Sequence, residues 1–145
     1  AITQTNRFKV AIQGSGHTDL ISFSGTSDIP FYFPIFLGKP FWENPQLYLS
    51  RSPIMFVQNI KTPLLIFAGE KDLNVPMSQG EELYRSLQLQ GKTVTLIKLK
   101  NQSHVPDNAA IIQEMLTTVN KWFEKALGKE VLSQISSKAD TQRVD

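Results

Sequence analysis

Residues 62–69, TPLLIFAG, restrict the fold more than any other stretch of the chain. From Leu64 to Ala68 every residue is apolar, so neither of the two faces that a strand presents is suited to water. A strand buried on both faces belongs inside a parallel sheet with helices on each side. Parallel neighbours need a crossover of a dozen or more residues, and the next segment supplies one. In PMSQGEELYRSLQLQG (76–91), Pro76 stands near a helix start, Ser78 and Glu81 have the spacing of a capping box, and Gly91 is a stop. TVTLIKL (93–99) follows as a β-branched strand and completes a right-handed βαβ unit.

The same reading extends in both directions. FKVAIQG (8–14) is a third strand bounded by polar residues and glycine. Downstream, Ile112, Met115, Val119, Trp122 or Phe123, and Ala126 recur at steps of three and four, which predicts an amphipathic helix of about 18 residues ended by Gly128. NPQLYLSRSPI (44–54) predicts a short helix with Asn44 as N-cap and Pro45 at its first position. Ahead of it, Phe31, Tyr32, Phe33, Phe36, Phe41 and Trp42 are interleaved with Pro30, Pro34, Pro40 and Pro45, a composition that resists a continuous helix or a central strand. That segment reads as an excursion packed on the body, or as a wall or lid over a pocket. The fold class is therefore α/β, with three mainly parallel strands and flanking helices. Residues 1–127 form one domain, and the polar residues 128–145 form a tail with a short helical remnant at most and a mobile end.

Composition removes several classes of function. The 15 basic and 13 acidic residues are scattered, without the basic stripe or aromatic ladder of a nucleic-acid surface, and no nucleic-acid partner is expected. With no cysteine, disulfides, thiolate metal sites and cysteine nucleophiles are excluded. No metal or cofactor is expected. A cysteine-free chain fits the cytoplasm, the location expected here, or an exported protein equally well. No apolar run approaches the roughly 18 residues that span a bilayer, and AITQTNRFKV has neither the charged start nor the apolar block of a signal peptide, so no membrane partner is expected.

Two histidines, His17 and His104, are available for acid–base chemistry. Asp72 follows the strand of residues 62–69, and His104, in KNQSHVPDN, follows the strand of residues 93–99. Both project from the carboxyl edge of neighbouring parallel strands, where ligands bind and catalytic groups gather in open α/β sheets. An aspartate there can accept the Nδ1 proton of an imidazole, fix its tautomer and favour the imidazolium. Each residue also has an ordinary explanation, Asp72 as the cap of a turn and His104 as a hydrogen-bonded loop residue. In α/β-hydrolases the chain order is nucleophile, acid, histidine, with the serine on a G-x-S-x-G elbow. Asp72 and His104 match the last two members, but no G-x-S-x-G occurs; the nearest candidate, Ser15 in GSG, has the wrong spacing.

RFKVAIQGSGHTDL, GTSDIPFYF, PFWENPQLYLSRSPI, the run from Val57 to Leu99 containing GEKDLNVP, and Ser103-His104 together resemble the C-terminal part of the catalytic domain of the prolyl oligopeptidase family. The acylaminoacyl-peptidase and dipeptidyl-peptidase-like branches are the most similar. The resemblance spans about residues 1 to 127. It implies the C-terminal half of an α/β-hydrolase fold, with Asp72 as triad acid and His104 as triad base. It implies that Asn74 holds a substrate backbone carbonyl, that Val75 walls the pocket for the residue before the cut, and that His17, Leu20 and Phe23 line it. Leu20 and Phe23, three apart and apolar, fit ordinary packing of a helical turn as well. His17 departs from an apolar wall and would admit polar residues or a substrate carboxylate.

The resemblance also places Ala1 inside the helix after the elbow, so the serine is expected upstream of it. The chain then reads as the C-terminal portion of a serine peptidase, inactive alone, whose partners are a peptide or acyl-peptide substrate and the missing N-terminal part of its own domain. That part, swapped elements or a second copy in a homodimer would cover the exposed sheet edge. The alternatives are a non-catalytic binding or assembly module, and an esterase or acyl-peptide hydrolase using the same triad.

Overall fold

The structure is a computed structural model that describes residues 1–128. Strands β1 (Ala11–Gly14), β2 (Leu64–Gly69) and β3 (Val94–Leu99) form one parallel sheet in the order β1-β2-β3. Between β1 and β2 come helices α1 (Leu20–Thr26), α2 (Tyr32–Leu37) and α3 (Pro45–Arg51) and a 3₁₀ helix (Pro53–Asn59); α4 (Met77–Leu89) crosses from β2 to β3, and α5 (Ala109–Leu127) follows β3. The expected tail lies, from residue 129 onward, outside the described residues.

Every residue of β2 is buried, as its composition requires. Leu64 and Ile66 face Val57, Ile60, Leu83 and Leu87 on one side. Leu65 and Phe67 face Leu99 and the α5 residues Ile111, Met115, Val119 and Trp122 on the other. Full burial of each such side chain is worth about 1.5–3 kcal/mol, so β2 ties both layers to the sheet. Gly80 lets α4 approach it closely, since a Cβ there would lie 3.2 Å from Ile66 Cγ2.

All three strands begin later than the sequence suggests. Pairing starts beyond Pro63, which has no N–H to give; its carbonyl accepts from Ala11 N at 2.9 Å, while Leu64 N donates to Thr93 O at 3.0 Å. Register is then fixed by Ala11 opposite Leu64 and by Gly69 opposite Leu99, so β2 and β3 end level.

The capping box expected of Ser78 and Glu81 does not form. Pro76, with extended ψ of 142°, is itself the N-cap and offers no side-chain acceptor. Ser78 Oγ is buried without a partner, and Glu81 pairs with Lys98 on β3. The N-cap expected of Asn44 does form, accepting from Leu47 N at 3.3 Å. Helix α5 ends at Gly128 in positive φ, as expected, but its inward stripe begins at Ile111 while Ile112 is exposed. The aromatic segment contains one short helix, α2, closed by Gly38 at φ 80°. Phe33 enters a core with Leu20, Phe23, Tyr48 and Val75, whereas Phe31, Ile35, Phe36 and Trp42 stay exposed.

Candidate active site

The acid sits on the turn that leaves β2. Asp72 N donates to Gly69 O at 3.3 Å, and the Asp72 carboxyl is fully buried. Its Oδ1 accepts from Val75 N at 2.8 Å, closing the turn that the aspartate caps. Its Oδ2 lies 3.0 Å from His104 Nδ1. The two explanations of Asp72 therefore hold together, because one oxygen caps the turn and the other meets the imidazole. A carboxylate can only accept, so Nδ1 carries the proton in this pair and the tautomer follows from the contact. The His104 side chain keeps 40% of its surface exposed, so a second reactant can reach the ring.

The other sequence-predicted residues occupy two neighbouring regions. Asn74 Nδ2 donates to Asp28 Oδ1 at 2.8 Å, Asn74 O accepts from Ser27 Oγ at 2.6 Å, and Asp28 N donates to Leu73 O at 2.9 Å. These bonds clamp the acid's loop to the end of α1. Val75 is buried in one cluster with Leu20 and Phe23, which are only 3% and 1% exposed. That burial places both α1 residues in the packing behind any pocket surface.

His17 meets Phe33 edge-on at 4.9 Å between centroids and Phe23 at 5.8 Å, with Tyr32 at 6.4 Å. His17 stays exposed, and its partial desolvation against these rings moves its pKa below the ordinary 6.5. It also borders an open cavity of about 390 Å³ that runs along β1 past Gln13 and Thr18 and touches neither Asp72 nor His104.

Sequence reasoning missed a buried polar bridge between α4 and α1. Gln79 is fully buried; its Oε1 accepts from Thr18 N at 2.9 Å and Asp19 N at 3.0 Å, and its Nε2 donates to Ser22 Oγ at 2.7 Å. Ser22 in turn donates to the Glu82 carboxylate at 3.0 and 3.1 Å. Burial pushes the Glu82 carboxyl upward, Ser22 opposes this, and the charge of Asp19 adds to it. The available signal was Gln79 itself, a polar residue four positions before Leu83 on the buried stripe.

Ser15 adopts a strained φ of 42° at the end of β1, and no hydrogen bond joins it to His104. Among the described residues no three histidine, aspartate or glutamate side chains converge as a metal site requires. No helix among them is long and apolar enough to cross a membrane.

An open parallel sheet with a buried aspartate and its histidine on the edge of adjacent strands has the architecture of part of an α/β-hydrolase. Comparison with known proteins agrees and is more specific: the chain belongs to the prolyl oligopeptidase family, which matches residues 1–130. It is 34% identical to the uncharacterized peptidase YuxL of Bacillus subtilis, over 87% of this chain and 20% of the relative. It is 30% identical to the human acylamino-acid-releasing enzyme, over 76% of this chain and 16% of that protein. Among solved structures, the acylaminoacyl peptidase of Pyrococcus horikoshii superposes with a TM-score of 0.82 at 25% identity, covering 89% of this chain and 22% of the other. A puromycin-hydrolyzing peptidase of Mycobacterium tuberculosis gives 0.81 at 27% identity, with 88% and 20% covered. The chain thus spans about a fifth or less of the length of the curated relatives named here.

Proposed function

We propose that Asp72 and His104 are the acid and base of a serine peptidase, and that the nucleophilic serine belongs to polypeptide outside these 145 residues. The observation that carries this reading is the 3.0 Å contact between the buried Asp72 carboxyl and Nδ1 of a half-exposed His104, in a chain of this family. The Nε2 of His104 takes the serine proton as the serine oxygen attacks the peptide carbonyl carbon, then gives it to the leaving amine as the C–N bond breaks. Water repeats the sequence and releases the acyl group. Asp72 holds the tautomer and stabilises the imidazolium.

One N–H of Asn74 is committed to Asp28, which leaves its second for a substrate carbonyl. Val75 walls the adjoining pocket, with Leu20 and Phe23 supporting it from behind and His17 as a neutral polar member. The segment that carries the serine also covers the free edge of β1. The substrate class is a peptide or acyl-peptide, a reading supported by the names of the acylamino-acid-releasing and acylaminoacyl relatives.

The test compares this chain with a protein containing the complete catalytic domain, using a fluorophosphonate probe and peptide hydrolysis. The complete protein is expected to be labelled and this chain alone to stay unlabelled. Asp72→Asn in the complete protein is expected to lower kcat by about 10⁴-fold with little change in substrate binding. A loss below about tenfold would remove Asp72 from the role of acid. An unlabelled complete domain would instead identify a non-catalytic module.

A further inference from the structure

His104 projects from residues 100–108, a segment without helix or strand between β3 and α5. A short irregular segment does not by itself hold an imidazole in line with Asp72, because its backbone groups have no ladder to bond to. The bonds that hold it converge on one residue. Gln102 is buried, with 5% of its surface exposed. Its N donates to Leu99 O at 3.2 Å, which fixes the start of the segment on the end of β3. Its carbonyl accepts from Lys71 N at 2.9 Å, one residue before Asp72. Its side-chain Oε1 accepts from Asp107 N at 3.2 Å and Asn108 N at 3.4 Å, and Asn108 is the N-cap of α5. The chain from 103 to 106, which contains His104, is therefore closed into a ring by the Gln102 side chain and docked on the acid's turn by the Gln102 main chain.

A second observation shows how close that docking is. A Cβ at Gly69 would lie 2.6 Å from Gln102 O and 2.7 Å from Ser103 O. Position 69, level with Leu99 in the sheet, thus leaves room only for the backbone of the histidine segment to pass. Asn101 adds an outer strut: it sits at φ 59°, and its N donates to Glu70 Oε2 at 3.1 Å. The Glu70 contact is exposed, whereas Gln102 is buried, so the glutamine bears the larger share of the restraint.

We propose that Gln102 is a positioning residue for His104, acting through the acceptor oxygen that closes the histidine loop and the carbonyl that seats it on the Asp72 turn. The proposal rests on the reading of His104 as the base. Its chemistry is specific: the side chain must offer an acceptor at the reach of glutamine. Gln102→Met keeps the volume and removes the acceptor. Gln102→Asn keeps the amide and withdraws it by one methylene. Gln102→Glu keeps an acceptor oxygen at the original distance.

The test measures two quantities in the protein containing the complete catalytic domain. The first is the steady-state kinetics of peptide hydrolysis. Misplacing a catalytic group by about 1 Å costs on the order of 10²-fold, so the methionine and asparagine variants are expected to lose about that factor in kcat with KM little changed. The glutamate variant is expected to stay close to wild type. The second is the downfield proton resonance of the His104 Nδ1–H held by Asp72, assigned by its loss in Asp72→Asn. It is expected to persist in the glutamate variant and to weaken or broaden in the other two. Should Gln102→Met fail to fold, the asparagine and glutamate pair carries the comparison. The proposal is overturned if the asparagine or methionine variant keeps both wild-type kcat and the resonance, or if the glutamate variant falls as far as they do. Absence of hydrolysis in the wild-type protein would instead defeat the peptidase reading, and the resonance would still decide whether Gln102 holds the pair.

Discussion

Replacing Gln79 by leucine tests whether the bridge between α4 and α1 is held by hydrogen bonds or by shape. Leucine approximates the volume and removes every polar atom of the side chain. Thr18 N–H, in a residue only 2% exposed, then loses its acceptor at 2.9 Å, and Asp19 N–H loses its acceptor at 3.0 Å. A buried donor left unpaired costs about 1–3 kcal/mol, with Asp19 nearer the low end because it is only partly buried. The lost bond to Ser22 adds about 0.5–1.5 kcal/mol, offset by the contact that Ser22 keeps with Glu82. The expected loss is about 3 kcal/mol. In urea unfolding this appears as a midpoint lowered by about 1–3 M with an unchanged slope. Amide exchange at Thr18 and Asp19 should accelerate more than at Leu65 or Ile66, because the defect opens the α1 entry before the sheet. A loss below about 0.5 kcal/mol, or exchange that accelerates evenly, would refute the reasoning and assign the site to packing alone.

Two further perturbations follow from the same structure. Partial desolvation lowers the pKa of the exposed His17 below its ordinary 6.5, so below that pH the unfolded chain binds slightly more protons than the folded one, a small effect because solvent reaches the ring. Stability should therefore fall as pH drops from 6.5 and level off below the lowered folded value, and His17→Phe should remove that limb in unfolding curves taken across the range; an unchanged pH dependence would refute the assignment. Gly69→Ala places a methyl group 2.6 Å from a main-chain oxygen that cannot rotate away, so a destabilisation of about 1–3 kcal/mol is expected in thermal or urea unfolding, with loss of the His104 Nδ1–H resonance.

The parts of this fold that were legible in the sequence are those fixed by local pattern. The apolar run from Leu64 to Ala68 could be satisfied only by layers on both faces, and both are present. Asp72 and His104 were placed near one another by a simple rule, because each follows the carboxyl end of one of two adjacent parallel strands. Where two neighbouring residues satisfy a pattern equally, the sequence does not choose: Ile111 and Ile112 are both isoleucine, and the helix phase set by its Asn108 cap turned the first inward. The spacing of Ser78 and Glu81 matched a capping box, but the helix start was set by Pro76 and Glu81 found a partner on β3. Single residues whose role depends on groups some sixty positions away, as Gln79 depends on Thr18, leave only a faint local trace, here a polar residue on an otherwise apolar buried stripe that does not name its partners.

The two buried glutamines are nevertheless the same device used twice. Gln79 accepts from Thr18 N and Asp19 N, and Asp19 is the N-cap of α1. Gln102 accepts from Asp107 N and Asn108 N, and Asn108 is the N-cap of α5. In each case the cap's own side chain accepts from the second and third residues of the helix, while the glutamine accepts from the cap residue and the one before it. Four backbone donors around each helix entry are thereby bonded, and at α1 the remaining one, Leu20 N, donates to Ser52 Oγ at 3.0 Å, so that entry can be buried. A strand-to-helix turn at the carboxyl edge of a parallel sheet is where this matters most, because the residues that do chemistry are carried by those turns. One glutamine fixes the start of α1, which bears Leu20 and Phe23, and the other fixes the loop that bears His104. Charge would serve poorly at the first position, where Asp19 and Glu82 already stand close enough for burial and Coulomb repulsion to raise the Glu82 pKa. A neutral amide supplies the same acceptor without adding a third negative charge, which is why glutamine and not glutamate suits position 79.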